Sequence, residues 1–129
     1  MHNSLVCAAL SHFGTPEQKS RCLPRLARGE WIGAYSLSEA GAGSDAGSIR
    51  TAAKPAGEGF AITGTKCWVS NAGIADLFVV FVSTSPESAS RGISCFLVEK
   101  GTPGFALGRK EKKMGLRASD TRELRFQDC

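Results

Sequence analysis

The sequence has little of what marks several large protein classes. No apolar run is longer than the six residues of Leu77 to Val82, whereas a membrane-spanning helix needs roughly 20 residues, so no transmembrane segment is expected. Met1 to Leu10 has neither a basic lead nor a long apolar stretch, and a secretory signal is not expected. The five cysteines, Cys7, Cys22, Cys67, Cys95 and Cys129, are odd in number, widely spaced and without a CxxC pair. That pattern speaks against a zinc site or a disulfide framework and favours a reducing compartment. Basic residues outnumber acidic ones by 16 to 12, yet they are spread along the chain and only Arg109 to Lys113 is dense. No nucleic-acid partner is expected, and the dense stretch, interrupted by Glu111, reads as a solvated face.

What is present is the composition of a folded domain: 129 residues, 42% hydrophobic and 22% charged, enough to bury a core. Asn3 or Ser4 can cap a helix carrying Leu5, Val6, Ala9, Leu10 and Phe13, with Gly14 as its stop. Thr15-Pro16-Glu17-Gln18 then combines an N-cap, a proline at the first helical position and a glutamine placed for a capping box. Pro24 predicts a break between Arg21 and Pro24, and Gly29 ends the helical region. From Trp31 the texture becomes strand-like: 31–37, 48–54, 59–62, 65–70, 77–84, 93–99 and 121–126, punctuated by glycine, proline and serine. The expected fold is α+β: a short helical lead-in, residues 1–30, followed by an antiparallel β-barrel or sandwich domain, residues 31–129.

Gly41-Ala42-Gly43-Ser44-Asp45-Ala46 satisfies the GxGxxG/A string of dinucleotide sites. The strand-like 48–54 and Pro55 follow it, so no helix N-terminus is available for phosphates and a Rossmann unit is excluded. The glycines permit positive φ and close backbone approach, and Ser38 and Ser44 offer hydroxyls suited to a carbonyl or phosphate. The same residues also fit a tight hairpin turn with local side-chain-to-backbone bonds. Trp68 can pack on a flat ring system or fill a barrel core, and Ser70 shares its face if the segment is extended. Glu39 reads as a turn-stabilising acceptor.

The longer string Tyr35-Ser36-Leu37-Ser38-Glu39-Ala40-Gly41-Ala42-Gly43-Ser44-Asp45-Ala46-Gly47 resembles the acyl-CoA dehydrogenase signature. Gly64-Thr65-Lys66-Cys67-Trp68-Val69-Ser70-Asn71-Ala72-Gly73 is similar to that family's second flavin-contacting block. The likeness continues through Gly92-Ile93-Ser94, Phe96-Leu97-Val98 and Lys113 to Thr121, with a short-chain flavour. It implies the end of an N-terminal helical domain plus a middle β-domain, and FAD as cofactor. Tyr35, Leu37, Ser38, Gly43 and Ser44 would line the flavin, with Ser38 near the pyrimidine edge. Ser44 would also reach the pantetheine arm of an acyl-CoA substrate. Trp68 and Val69 would join them, and Ser70 would sit near flavin N5. Departures are small: Ser38 and Ser70 stand where threonine is common, and Ala40 where proline is.

The resemblance further implies oxidation of acyl-CoA thioesters to trans-2-enoyl-CoA, with the catalytic base beyond Cys129 and no catalytic residue in this chain. An electron-transfer flavoprotein as acceptor, a homo-oligomer, and a bacterial cytoplasm or mitochondrial matrix are expected with it. An acyl-CoA oxidase of the same fold and a non-enzymatic β-domain binding module are the other readings.

Overall fold

In the computed structural model, which describes residues 2–129, the first helical stretch takes in Asn3 and Ser4, so neither is the cap expected from the sequence. A π-helical stretch, His2–Cys7, runs into α1, Ala8–Phe13, with Cys7 itself helical at φ −65°, ψ −38°. Val6 and Leu10, one turn apart, are buried, while Leu5 and Phe13 stay exposed. Gly14 ends the helix in extended conformation, its N–H bonded to the Leu10 carbonyl. The capping box forms at α2, Pro16–Ala27: the Gln18 N–H donates to Thr15 Oγ1 at 3.2 Å and the Thr15 N–H to Gln18 Oε1 at 2.9 Å.

The break expected before Pro24 does not occur; α2 continues through it. Pro24 and Ser20, whose carbonyl loses its donor, both lie on the exposed face, so water can take the vacated bond. Cys22 and Leu26 on the opposite face are buried. Gly29 ends α2 at φ +70° in a Schellman motif, with Glu30 N–H on the Arg25 carbonyl and Gly29 N–H on that of Leu26.

Seven strands follow: β1 Gly33–Ser36, β2 Ala52–Ala56, β3 Gly59–Ser70, β4 Leu77–Ser83, β5 Ile93–Glu99, β6 Phe105–Lys110 and β7 Thr121–Phe126. They form one curled sheet in the order β1-β4-β2-β3-β7-β6, with β5 also on β4. Four pairings are antiparallel; β1 and the start of β2 pair with β4 in parallel. No crossover helix is needed for these, because the β2–β3 hairpin itself makes the connection from β1 to β4. Residues 59–62 and 65–70 belong to the single strand β3. The expected strand over 48–54 starts only at Ala52, after a 3-10 turn Ala46–Ser48, and β6 was not foreseen. The polar stretch after Ser83 folds into turns over Pro86–Gly92.

β4 explains the layering. Phe78, Val80 and Val82 enter the core inside the curl with Ile62, Val69, Leu124 and Phe126; Leu77 and Val79 enter a second core with Val6, Leu10, Cys22 and Leu26. Period-two alternation thus feeds two cores from one strand, which is why its sequence reads as a continuous apolar run. His2 fastens the lead-in to the sheet, its Nδ1 accepting from the Gly33 N–H at 2.9 Å while Nε2 lies 3.0 Å from the Leu26 carbonyl.

Candidate functional site

The two sequence motifs meet along β3. The first leaves β1 as a loop that returns only at Thr51, and its entry lies against the middle of β3. Cys67 N–H donates to the Ser38 carbonyl at 2.9 Å. Lys66 Nζ donates to the Leu37 carbonyl at 2.9 Å and to Glu39 Oε1 at 2.8 Å. Glu39 also accepts the Arg50 N–H at 2.7 Å and the Thr51 N–H at 3.0 Å, so it closes both ends of the loop. It is a structural acceptor, as its sequence context suggested.

Burial raises the Glu39 pKa, but the bonds from Lys66, Arg50 and Thr51 outweigh it and hold the carboxyl below its ordinary range. For Lys66 burial dominates, and its ammonium titrates below the usual lysine value despite Glu39. Gly64 lets β3 approach the end of the loop here: its φ is +148°, and a Cβ would fall 2.6 Å from Thr51 Oγ1, which excludes other residues.

Immediately after Lys66 the strand bulges. Lys66 faces Leu124 and Val69 faces Arg122, so β3 carries one residue more than β7 over that interval. Trp68 absorbs it at φ +58° and is 55% exposed. It is therefore not part of the barrel core. Val69 points inward and is buried in the main core, while Ser70 is half-buried. Downstream, Asp120 organises the end of the second motif: Oδ2 accepts the Gly73 N–H at 2.6 Å, Arg122 Nε lies 3.1 Å from Oδ1, and the Asp120 carbonyl accepts the Asn71 N–H.

The expected residues divide. Leu37, Ser38, Trp68 and Ser70 lie on the two segments joined by the Lys66 and Cys67 bonds. Gly43 and Ser44 sit on the exposed crest of the loop. Tyr35 is not brought there: its ring packs on Phe81 at 5.0 Å and lines an apolar cavity of about 330 Å³ under the helices, with Leu10, Phe13, Cys95 and Leu97. The Val69 side chain is likewise turned away into the core. Lys66 and Asp120 carry the geometry but were not singled out by sequence reasoning, because their partners lie 27 and 47 residues away.

The loop glycines Gly41 and Gly43 do not use positive φ, correcting the conformational reason given above. A Cβ at either would meet nothing within 4 Å, so neither is required by packing within the chain. The open backbone, the nearby hydroxyls of Ser38 and Ser44, and the uncovered indole of Trp68 fit a flat, phosphate-bearing cofactor such as FAD. The dense basic stretch stays on the surface, with Arg109 79% exposed beside Glu111. Among the described residues no helix is long and apolar enough to cross a membrane.

Residues 34–129 match the acyl-CoA dehydrogenase middle domain, and residues 1–30 match the acyl-CoA dehydrogenase N-terminal domain. A short-chain specific acyl-CoA dehydrogenase of Clostridium acetobutylicum is 46% identical over 98% of the chain, which covers 34% of that protein. Butyryl-CoA dehydrogenase from Megasphaera elsdenii superposes with a TM-score of 0.94 at 41% identity, over 96% of this chain and 33% of its own. An acyl-CoA dehydrogenase complexed with FAD from Bacillus anthracis gives a TM-score of 0.81 at 41% identity, over 90% of this chain and 20% of its own. The chain spans about a third of the curated relative it matches, and it belongs to the acyl-CoA dehydrogenase family.

Proposed function

We propose that this chain supplies the flavin platform of an FAD-dependent acyl-CoA dehydrogenase, acting on acyl-CoA thioesters and passing electrons to an electron-transfer flavoprotein. The observation that carries the reading is the junction at β3, where Ser38 is bonded to the residue preceding a 55% exposed Trp68. When bound, FAD supplies the redox chemistry by accepting a hydride equivalent from the substrate's β carbon. The chain's own residues hold and shield it. Trp68 offers a broad apolar face that excludes water from one side of a ring system. Ser38 in the first motif and Ser70 in the second offer hydroxyl donors to ring heteroatoms. Ser44 and the open backbone at Gly43 suit phosphate oxygens, and the Ser44 hydroxyl would also serve the pantetheine arm of the substrate.

Proton abstraction from the α carbon requires a free base held against it. Glu39 does not meet that need, since it is engaged by Lys66, Arg50 and Thr51. The base is therefore proposed to come from another part of the enzyme, and this chain on its own is expected to be inactive toward butyryl-CoA.

Flavin-fluorescence titration of the 129-residue chain with FAD tests the reading. Trp68→Ala is expected to weaken binding about tenfold, equivalent to roughly 1.4 kcal/mol, whereas Lys112→Ala leaves it unchanged. Equal affinity of the unsubstituted chain and Trp68→Ala would remove the ring contact from the proposal.

A further inference from the structure

Lys66 is fully buried, with no exposure at all. A buried ammonium is costly unless paired and hydrogen-bonded, and an apolar residue of similar volume would fill the space without that cost. The bonds it makes indicate what the charge achieves. Nζ reaches the Leu37 carbonyl and Glu39 Oε1, and Glu39 in turn holds the Arg50 and Thr51 N–H groups. One ion pair therefore fixes the loop at its entry, at its exit and on β3, at the residue immediately before the bulge.

Between the pinned ends stand Gly41, Gly43 and Ser44, all exposed. Next to the pins run the Cys67 N–H to Ser38 carbonyl bond and the left-handed Trp68. Lys66, its side chain 0% exposed, is out of reach of anything lying on the outer surface, and Glu39 keeps only 10% exposure.

We infer that the Glu39–Lys66 pair is a positioning element for the flavin site, setting the mouth of the 37–51 loop and the spacing of Ser38 from Trp68 without touching the cofactor. This rests on the flavin reading above. A pair that only added stability would not need directional bonds to both ends of a loop; two apolar residues could serve. The bonds to Leu37, Arg50 and Thr51 instead tie loop geometry to the strand that presents the indole.

Amide hydrogen exchange on the flavin-free chain, combined with FAD titration, tests the inference in Lys66→Met, Glu39→Gln and the double variant. In Lys66→Met the amides of Arg50, Thr51 and Cys67 are expected to exchange at least about tenfold faster, while those of Val79 and Val80 on β4 keep their rates. FAD affinity should fall about tenfold. Glu39→Gln retains the side-chain shape and one acceptor, so the same local pattern is expected at about threefold, and this variant decides the matter should Lys66→Met fail to fold. The double variant should regain global stability, having no unpaired buried charge, yet keep the weakened flavin binding.

Unchanged FAD affinity in a folded Lys66→Met chain overturns the inference, and so does uniform acceleration of all amides, which marks a general stabiliser. Recovery of flavin binding in the double variant also overturns it. Absence of FAD binding by the unsubstituted chain instead removes the flavin reading, and the exchange pattern alone then decides whether the pair pins the loop.

Discussion

Two of the carboxylates that hold backbone in this chain, Glu39 and Asp120, do so in different surroundings. Glu39 accepts the Arg50 and Thr51 N–H groups, Asp120 accepts the Gly73 N–H, and each carboxylate pairs with a cation. Their own side chains are similarly covered, at 10% and 12% exposure. The cations differ: Lys66 is fully enclosed, while Arg122 is 30% and Lys110 55% exposed. A cation at Asp120 can turn to water when its partner is lost; Lys66 cannot. The comparison teaches that the value of such a knot is set by what its cation does once released.

The largest effect should follow from Glu39→Ala. It leaves the Lys66 ammonium buried without its carboxylate and deprives the Arg50 and Thr51 N–H groups of their acceptor. Removing one partner of a buried pair costs about 3–5 kcal/mol, read as a lower midpoint in urea unfolding. A loss under about 1 kcal/mol would mean that Lys66 reaches solvent after all, and the contrast with Asp120 would collapse. Asp120→Ala should cost less, about 1–3 kcal/mol, chiefly for the unsatisfied Gly73 N–H, since Arg122 and Lys110 can rehydrate. A loss as large as that of Glu39→Ala would show that the Asp120 knot is equally closed.

Acid titration sharpens the same comparison at smaller amplitude. The folded pKa of Glu39 is lowered from its ordinary 4.5, so its ionised form contributes stability that is fully present above about pH 4.5. That contribution is lost as pH falls through the lower folded value. Glu39→Gln has no such term. The stability gap between the unsubstituted chain and Glu39→Gln, about 1.5–3 kcal/mol because Lys66 loses its counter-charge but keeps an acceptor, should be constant from pH 7 to pH 5 and close in stronger acid. Thermal melts across that range measure it; a gap that widened toward low pH would show that the carboxylate is not held in its ionised form.

Local chemistry made much of this fold legible. The capping box at Thr15 and the C-terminal glycine of α2 involve neighbours in sequence, and both form as the residues suggest. The run Leu77 to Val82 reads as a strand, and its alternation explains two cores at once. The misses share a cause in long-range context. Pro24 is tolerated because the vacated carbonyl faces solvent and the opposite face of α2 is anchored. β6 escaped notice because it is an edge strand that shows most of its residues to water; Phe105, the aromatic at its start, packs on Phe78 and Phe126.

At the site, Ser38 and Trp68 were legible as residues, but the bulge that turns Trp68 outward depends on β7, more than fifty positions away in sequence. Lys66 has no sequence signature as a buried cation, because a lysine in a strand ordinarily faces solvent. Tyr35 and Val69 lie within the motifs, yet strand alternation turns their side chains toward the two cores.

The smallest effect belongs to the ion pair that joins the helical lead-in to the sheet. Arg21 on α2 bonds Glu99 on β5, and the side chains are 52% and 41% exposed. The contact spans 78 residues and looks like a tether, but both groups remain hydrated when it opens, and ordering two long side chains offsets the Coulomb gain. Arg21→Ala should therefore cost no more than about 1 kcal/mol, shrinking further in high salt. Leu26→Ala, which empties part of the core between α2 and β4, should cost about 2–5 kcal/mol. The two variants unfolded side by side in urea decide what holds α2 to the sheet. A larger loss for Arg21→Ala would give the exposed pair the weight assigned to the buried one, and exposure of the cation would no longer predict the strength of a knot.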